Sequence, residues 1–316
     1  MNTFLHHLSL SFPLFSLVFA GYGLMRIFRC PKIVSDYLNR FVFSIAVPVM
    51  LFGLMSKLSG LPPVDTRLLI AFFGSCLIVF AIGRVIAWKG FGLDGVGQSV
   101  FALGGVFSNN VMLGLPLAKT VLGDAAVPSV ALVLVFNALI LWTLVTVSVE
   151  WARYGSLSLH GGAKTIGAVL TNPVVAGIIA GALFGLAGFT VPEPLDLPLA
   201  MLGKTAAPLA LVALGMGLAE YGMRDGWRVS TAIAAIKLVL QPLVVWALAR
   251  ILDLPPLETQ VVVLLASIGV GANVYLMSRQ FKVLEGPVAG SLVLSTLLAA
   301  LTTPLALALT QAANRA

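Results

Sequence analysis

From Leu8 almost to its end the chain is a succession of apolar runs of about 20 residues, each closed by a short cluster of Pro, Gly and charged residues. As a helix rising about 1.5 Å per residue, such a run matches a hydrocarbon core about 30 Å thick. In lipid no water is available to the backbone, so each run must satisfy its own N–H and C=O groups, and a helix does so within one segment. No stretch between the runs is long enough for a separate water-soluble domain. Charged residues make up 10% of the chain and apolar ones 59%, against about 25% and 45–50% in soluble domains. So little charge cannot coat a soluble protein of this size. An all-α membrane protein with the lipid bilayer as its solvent follows.

The formal net charge of +7 does not indicate a nucleic-acid partner, because Lys and Arg sit mostly in short loops, where they orient membrane helices. Cys30 and Cys76 have neither the number nor the spacing of a disulfide framework or a metal site. Val18-Phe19-Ala20-Gly21 would pass as a signal-peptide cleavage site. Only His6 and His7 stand where a basic leader region belongs, however, so the first run reads as a retained helix.

The apolar runs and their punctuation predict ten transmembrane helices, near 8–27, 37–57, 66–88, 96–122, 126–150, 165–188, 195–220, 228–251, 257–281 and 286–310. The breaks carry loop chemistry, as in Arg29-Cys30-Pro31-Lys32, Gly60-Leu61-Pro62-Pro63, Val191-Pro192-Glu193-Pro194 and Leu254-Pro255-Pro256. Gly123-Asp124 is the main signal between the fourth and fifth segments. The loops after the odd-numbered segments hold Arg26, Arg29, Lys32, Arg40, Arg84, Lys89, Arg153, Lys164, Arg224, Arg228, Arg279 and Lys282. The opposite side holds Lys57, Arg67, Lys119, Arg250 and Arg315. Positive loops favour the cytoplasm, so both termini are expected on the non-cytoplasmic side of a bacterial inner membrane.

The two halves share a grammar. Pro13 and Gly21 recur as Pro173 and Gly181, and Ala46-Val47-Pro48 recurs as Ala206-Ala207-Pro208 in the same register. Each half then holds five segments, and an odd number turns the second half over. The expected organisation is a first repeat over 1–152, a cytoplasmic connection over 153–164 and an inverted second repeat over 165–316.

Inverted-repeat carriers place their sites near the bilayer midplane, where helices are interrupted and backbone groups need a ligand or cavity. In the fourth segment, Asn109, Asn110, Gly114 and Pro116 fall within a short apolar stretch. In the ninth, Gly269, Gly271, Asn273 and Tyr275 repeat the pattern. Taken singly, each residue reads as well as a packing glycine, a mild kink or one interhelical hydrogen bond. Two clusters in corresponding segments favour a cavity.

On these residues the sequence resembles the auxin efflux carrier family, which includes plant PIN-type carriers and bacterial permeases for small carboxylates such as malonate and malate. The resemblance covers nearly the whole chain. It is carried by Asn39 to Phe43 through Pro48 to Phe52, by Asn109 to Leu117, by Asn172-Pro173, by Pro208 through Gly215, and by Asn273 through Phe281. It implies a scaffold domain and a transport domain in which segments 4 and 9 are broken and cross. It also implies that Asn109 contacts a substrate carboxylate. Where the family often has Pro at the ninth-segment break, this chain has Gly269.

All twelve acidic residues fall in loops or at segment ends, which argues against a cation or proton antiporter built on a buried carboxylate. The charges within segments are Lys204 and Lys237. Each either snorkels to the interface or faces a polar cavity. For Lys237 the cavity reading draws on Gln241, one turn away beside Pro242, and Asn137 is a further polar candidate. Pro48 and Pro208 are hinge candidates. The expected function is secondary transport of a small mono- or dicarboxylate by alternating access, with no cofactor. The rivals are a sodium-coupled symporter on a related scaffold and a non-transporting membrane sensor. HExxH, Walker and GxSxG motifs are absent, which argues against an enzyme. A homodimer is compatible with the sequence, which does not fix the oligomeric state.

Overall fold

The computed structural model describes residues 2–57, 64–154, 173–220 and 226–313. Among them the chain is all-helical. Its helices are α1 (Asn2–Arg26), α2 (Lys32–Met55), α3 (Arg67–Phe91), α4 (Gly95–Val106), α5 (Asn110–Leu122), α6 (Val127–Tyr154), α7 (Pro173–Leu186), α8 (Glu193–Glu220), α9 (Trp227–Ile251), α10 (Pro256–Ser267), α11 (Ala272–Phe281) and α12 (Glu285–Ala313). Six of these, α1, α2, α3, α8, α9 and α12, are long and apolar enough to cross a membrane. The molecule is a multi-pass membrane protein.

Local chemistry sets the helix ends. Gly92 adopts the left-handed conformation (φ 61°) that closes α3, with its N–H on the Trp88 carbonyl at 3.1 Å. Asp94 then caps α4, its carboxylate accepting from the Gly97 N–H at 2.8 Å. At the Gly123-Asp124 signal the backbone turns through Gly123 (φ 85°) and a short 3-10 turn, Asp124–Ala126, into α6. α2 starts five residues before the predicted segment. Its first turns carry Lys32, Asp36 and Arg40, so they are amphipathic rather than apolar, and hydropathy passes over them. The predicted start of the sixth segment, Asn172 and most of the 153–164 connection lie outside the described residues.

Three prolines widen the helix just ahead of them. π turns at Val42–Ala46, Asn110–Gly114 and Ile236–Leu240 precede Pro48, Pro116 and Pro242. A proline ring clashes with the carbonyl four residues back, here Ser44, Met112 and Leu238, and the extra residue in the turn moves that carbonyl aside. Pro208, a predicted hinge, lies instead inside the uninterrupted α8.

The helices pack in two groups. In the first, α1 crosses α8 and α2 packs on α7. Gly21 and Gly215 bring α1 and α8 into backbone contact, since a Cβ on either would collide with the Val212 or Val18 carbonyl. On α7, Gly177, Gly181 and Gly185 face α2, where added Cβ atoms would stand 2.6, 2.6 and 2.7 Å from the Pro48, Phe52 and Ser56 carbonyl oxygens. Lipid supplies no hydrophobic drive between helices, so such close van der Waals approach is what joins them. The second group packs α3, α9 and α12 with α4 and α10, and α6 lies against α4. α1 also touches α12, which links the groups.

Candidate functional site

The fourth predicted segment is broken between α4 and α5, and the ninth between α10 and α11. The two breaks lie against each other. Ser108 and Val270 form an antiparallel β-bridge. The Asn109 N–H donates to the Gly269 carbonyl at 3.0 Å, and the Gly271 N–H donates to the Phe107 carbonyl at 2.8 Å. Asn109 (φ −78°, ψ 61°) centres an inverse γ-turn closed by the Asn110 N–H on the Ser108 carbonyl at 2.9 Å. The unwound backbone thus satisfies part of itself across the crossing, as an apolar interior requires.

Glycine is needed here for close approach. A Cβ on Gly271 would stand 2.9 Å from the Ser108 carbonyl oxygen, and one on Gly269 2.8 Å from Thr296 Oγ1. Gly114 likewise lets α5 pack on Leu265 and Ile268.

A cavity of about 370 Å³ opens beside the crossing. Asn109, Asn110, Asn137, Gly271 and Asn273 line it, together with Phe43 and Ser44 of α2, Ser108, and Pro173 to Val175 at the start of α7. Its walls therefore come from both helix groups. Three amides in it are buried yet uncommitted. Asn110, 2% exposed, has no hydrogen bond at either amide atom, and Asn109 Nδ2 and Asn137 Oδ1 are also unpartnered. The Ser108 hydroxyl is in the same condition. Buried amides ordinarily find partners, because an unmade bond costs about 1–3 kcal/mol. No charged side chain lines this cavity among the described residues. Fixed positive potential comes instead from helix starts. α11 begins at Ala272 and α5 at Asn110, both on the cavity wall, and the first N–H groups of a helix have no acceptor within it. Amide donors and two helix N-termini in a neutral cavity suit a small anion.

A second cavity, of about 570 Å³, lies further along the same helices. It takes residues from Val49 to Lys57, at the end of α2 and just past it, where the first takes Phe43 and Ser44, and Pro116, Lys119 and Thr120 of α5 where the first takes Asn109 and the start of α5. Lys57, Lys119 and Lys204 reach it, as do Asp124 and Asp196, and Lys119 pairs with Asp124 at 3.3 Å. Val47, Leu113 and Leu115, all buried, stand between the two cavities along the chain.

The remaining sequence candidates fall elsewhere. Gly269 packs on α12, and Tyr275 lies on α11 outside the residues that line the cavity. Lys237 neither snorkels nor reaches the cavity. It is 0% exposed, and its ammonium donates to the Ala266 carbonyl near the end of α10. Gln241, also fully buried, donates to Ser75 Oγ at 3.2 Å and Cys76 Sγ at 3.4 Å. Sequence reasoning missed Ser44 and Ser108 on the cavity wall, because a lone Ser in an apolar segment carries no signal of its own.

The sequence from residue 8 to residue 307 matches the profile of the family described as "Membrane transport protein". The chain is 27% identical over 303 residues to a Rhizobium meliloti (strain 1021) protein named "Putative malonate transporter", spanning 92% of this chain and 91% of that one.

Proposed function

The chain belongs to the membrane transport protein family, that of the auxin efflux carriers, and on that premise we propose that it carries a small organic anion, a mono- or dicarboxylate such as malonate, by alternating access. The observation that carries this reading is the pair of unpartnered amide donors, Asn109 Nδ2 and Asn110 Nδ2, in a cavity at the crossing of two broken helices. A carboxylate offers acceptors to the amide donors and negative charge to the helix starts of α5 and α11. The relative's name supports malonate as the first substrate to try.

In this reading the chain has ten spans in two inverted halves, 1–152 and 165–316, joined through 153–164 in the cytoplasm, with both termini outside and an inner-membrane location. α1, α2, α7 and α8, joined by backbone contact at glycines, are the static frame. The crossing and the helices around it move against that frame. Such movement would expose the amides first through the cavity at residues 43–44 and then through the one at 49–57.

Counterflow of radiolabelled malonate and malate in proteoliposomes tests the proposal. Saturable exchange that is indifferent to sodium fits a carrier of the anion alone. Strict sodium dependence would favour the symporter, and no flux with any small carboxylate would leave a sensor.

A further inference from the structure

A broken helix has two ends, and the site described above uses only the N-terminal ones. The C-terminal end of α10 carries carbonyls with no intrahelical donor and the negative end of the helix dipole, and its last residues, Ala266 and Ser267, are buried. Two of its last carbonyls are taken from other helices. Thr303 Oγ1 of α12 donates to the Ser267 carbonyl at 2.9 Å, and the Lys237 ammonium donates to that of Ala266. We propose that Lys237 is a resident counter-cation of the crossing. In this role it holds the broken end of α10, and thereby positions the Asn109–Gly271 wall that receives the anion.

Four observations carry this. Lys237 is fully buried, and an ammonium in that setting is stable only against an anion or a carbonyl dipole. It is not among the residues that line the cavity, so direct contact with substrate is not its task. Its own stretch of α9 also packs on the end of the other broken helix. Added Cβ atoms on Gly104 and Gly105 of α4 would meet Ile233 and Ile236 at 2.7 and 2.6 Å. One segment of α9 therefore abuts the C-terminal ends of both α4 and α10 at the crossing. Finally, Lys237 sits in the π turn ahead of Pro242, which gives the helix there its own local conformation. Positive ends then face the substrate, and a fixed positive charge compensates a negative end behind. Lys237 is a positioning residue, and this role rests on the crossing being the substrate site.

The test compares wild type, Lys237→Met and Lys237→Arg as purified full-length proteins in nanodiscs. Hydrogen exchange is followed for peptides covering 264–274 and for peptides in α8, and malonate counterflow is measured in parallel. Loss of the cap should raise exchange at Val270 and Gly271 at least tenfold in Lys237→Met, leave α8 unchanged and lower counterflow at least tenfold. Lys237→Arg should recover part of both. Lost counterflow with unchanged exchange would make Lys237 a ligand of the anion, and a uniform rise that includes α8 would make it a packing residue. Either result overturns the proposal. If Lys237→Met does not fold, Lys237→Gln replaces it under the same criteria. The exchange measurement needs no substrate: absence of flux with every small carboxylate in wild type would overturn the carrier reading, whereas unchanged exchange in Lys237→Met would overturn this one whatever the flux.

Discussion

Asn110 concentrates the argument at the scale of a residue. Both of its amide atoms are buried without partners, although its backbone N–H is spent on the Ser108 carbonyl. A packing asparagine would be satisfied where it stands, whereas a ligand-binding one stays costly until the ligand arrives. Asn110→Leu should therefore leave thermal stability without substrate unchanged, or raise it by about 1 kcal/mol, while abolishing malonate binding. A thermal melt with and without malonate reads both quantities, and a destabilised variant that still binds would return Asn110 to the packing residues. Asn109→Ala should lower affinity by about tenfold or more through loss of one charge-assisted bond, measured by equilibrium binding. These asparagines were legible in the sequence because amides are rare inside apolar runs. The task of Lys237 was not, since its acceptor, the Ala266 carbonyl, is 29 residues away and belongs to the backbone, which every sequence has.

At the scale of an element, the informative feature is how α10 and α11 separate without a proline. Gly271 does not take a left-handed conformation (φ −77°). Its glycine is required because the Ser108 carbonyl lies where a Cβ would go. Gly271→Val should push the Ser108–Val270 bridge apart, cost about 1–3 kcal/mol as overpacking does, and reduce uptake well beyond that loss of stability. Denaturant titration and transport at matched expression check the two effects separately. Hydropathy made the all-helical class legible, because an apolar run in lipid has no alternative to helix. It could not place the start of α2, whose first turns are amphipathic. Nor could it foresee the π turns before Pro48, Pro116 and Pro242, while Pro208 leaves α8 intact. Whether a proline bends, widens or fits a helix depends on neighbours that a local reading cannot see.

For the whole molecule, the charge pattern predicts sidedness. In a cysteine-free background, a cysteine at Gly92 should react with an impermeant maleimide only from the cytoplasm, and cysteines at Asp124 and Glu193 only from outside. Labelling of positions 92 and 193 from the same side would rule out the proposed inversion. Positions 155 and 225, which serve the same purpose, lie outside the described residues. The two cavities add a consequence of another kind. They lie along the same helices, and the buried Val47 and Leu113 stand between their lining residues along the chain. If electrolyte fills both and those side chains close the passage between them, the membrane voltage falls over the distance that separates the cavities rather than over about 30 Å of hydrocarbon. A substrate carrying two negative charges would then traverse nearly the whole field in one short step, at about 4.6 kcal/mol per 100 mV. Dicarboxylate flux should accordingly be electrogenic. A potassium–valinomycin potential that makes the vesicle interior positive should accelerate uptake, and flux that ignores voltage would require a compensating ion in every cycle.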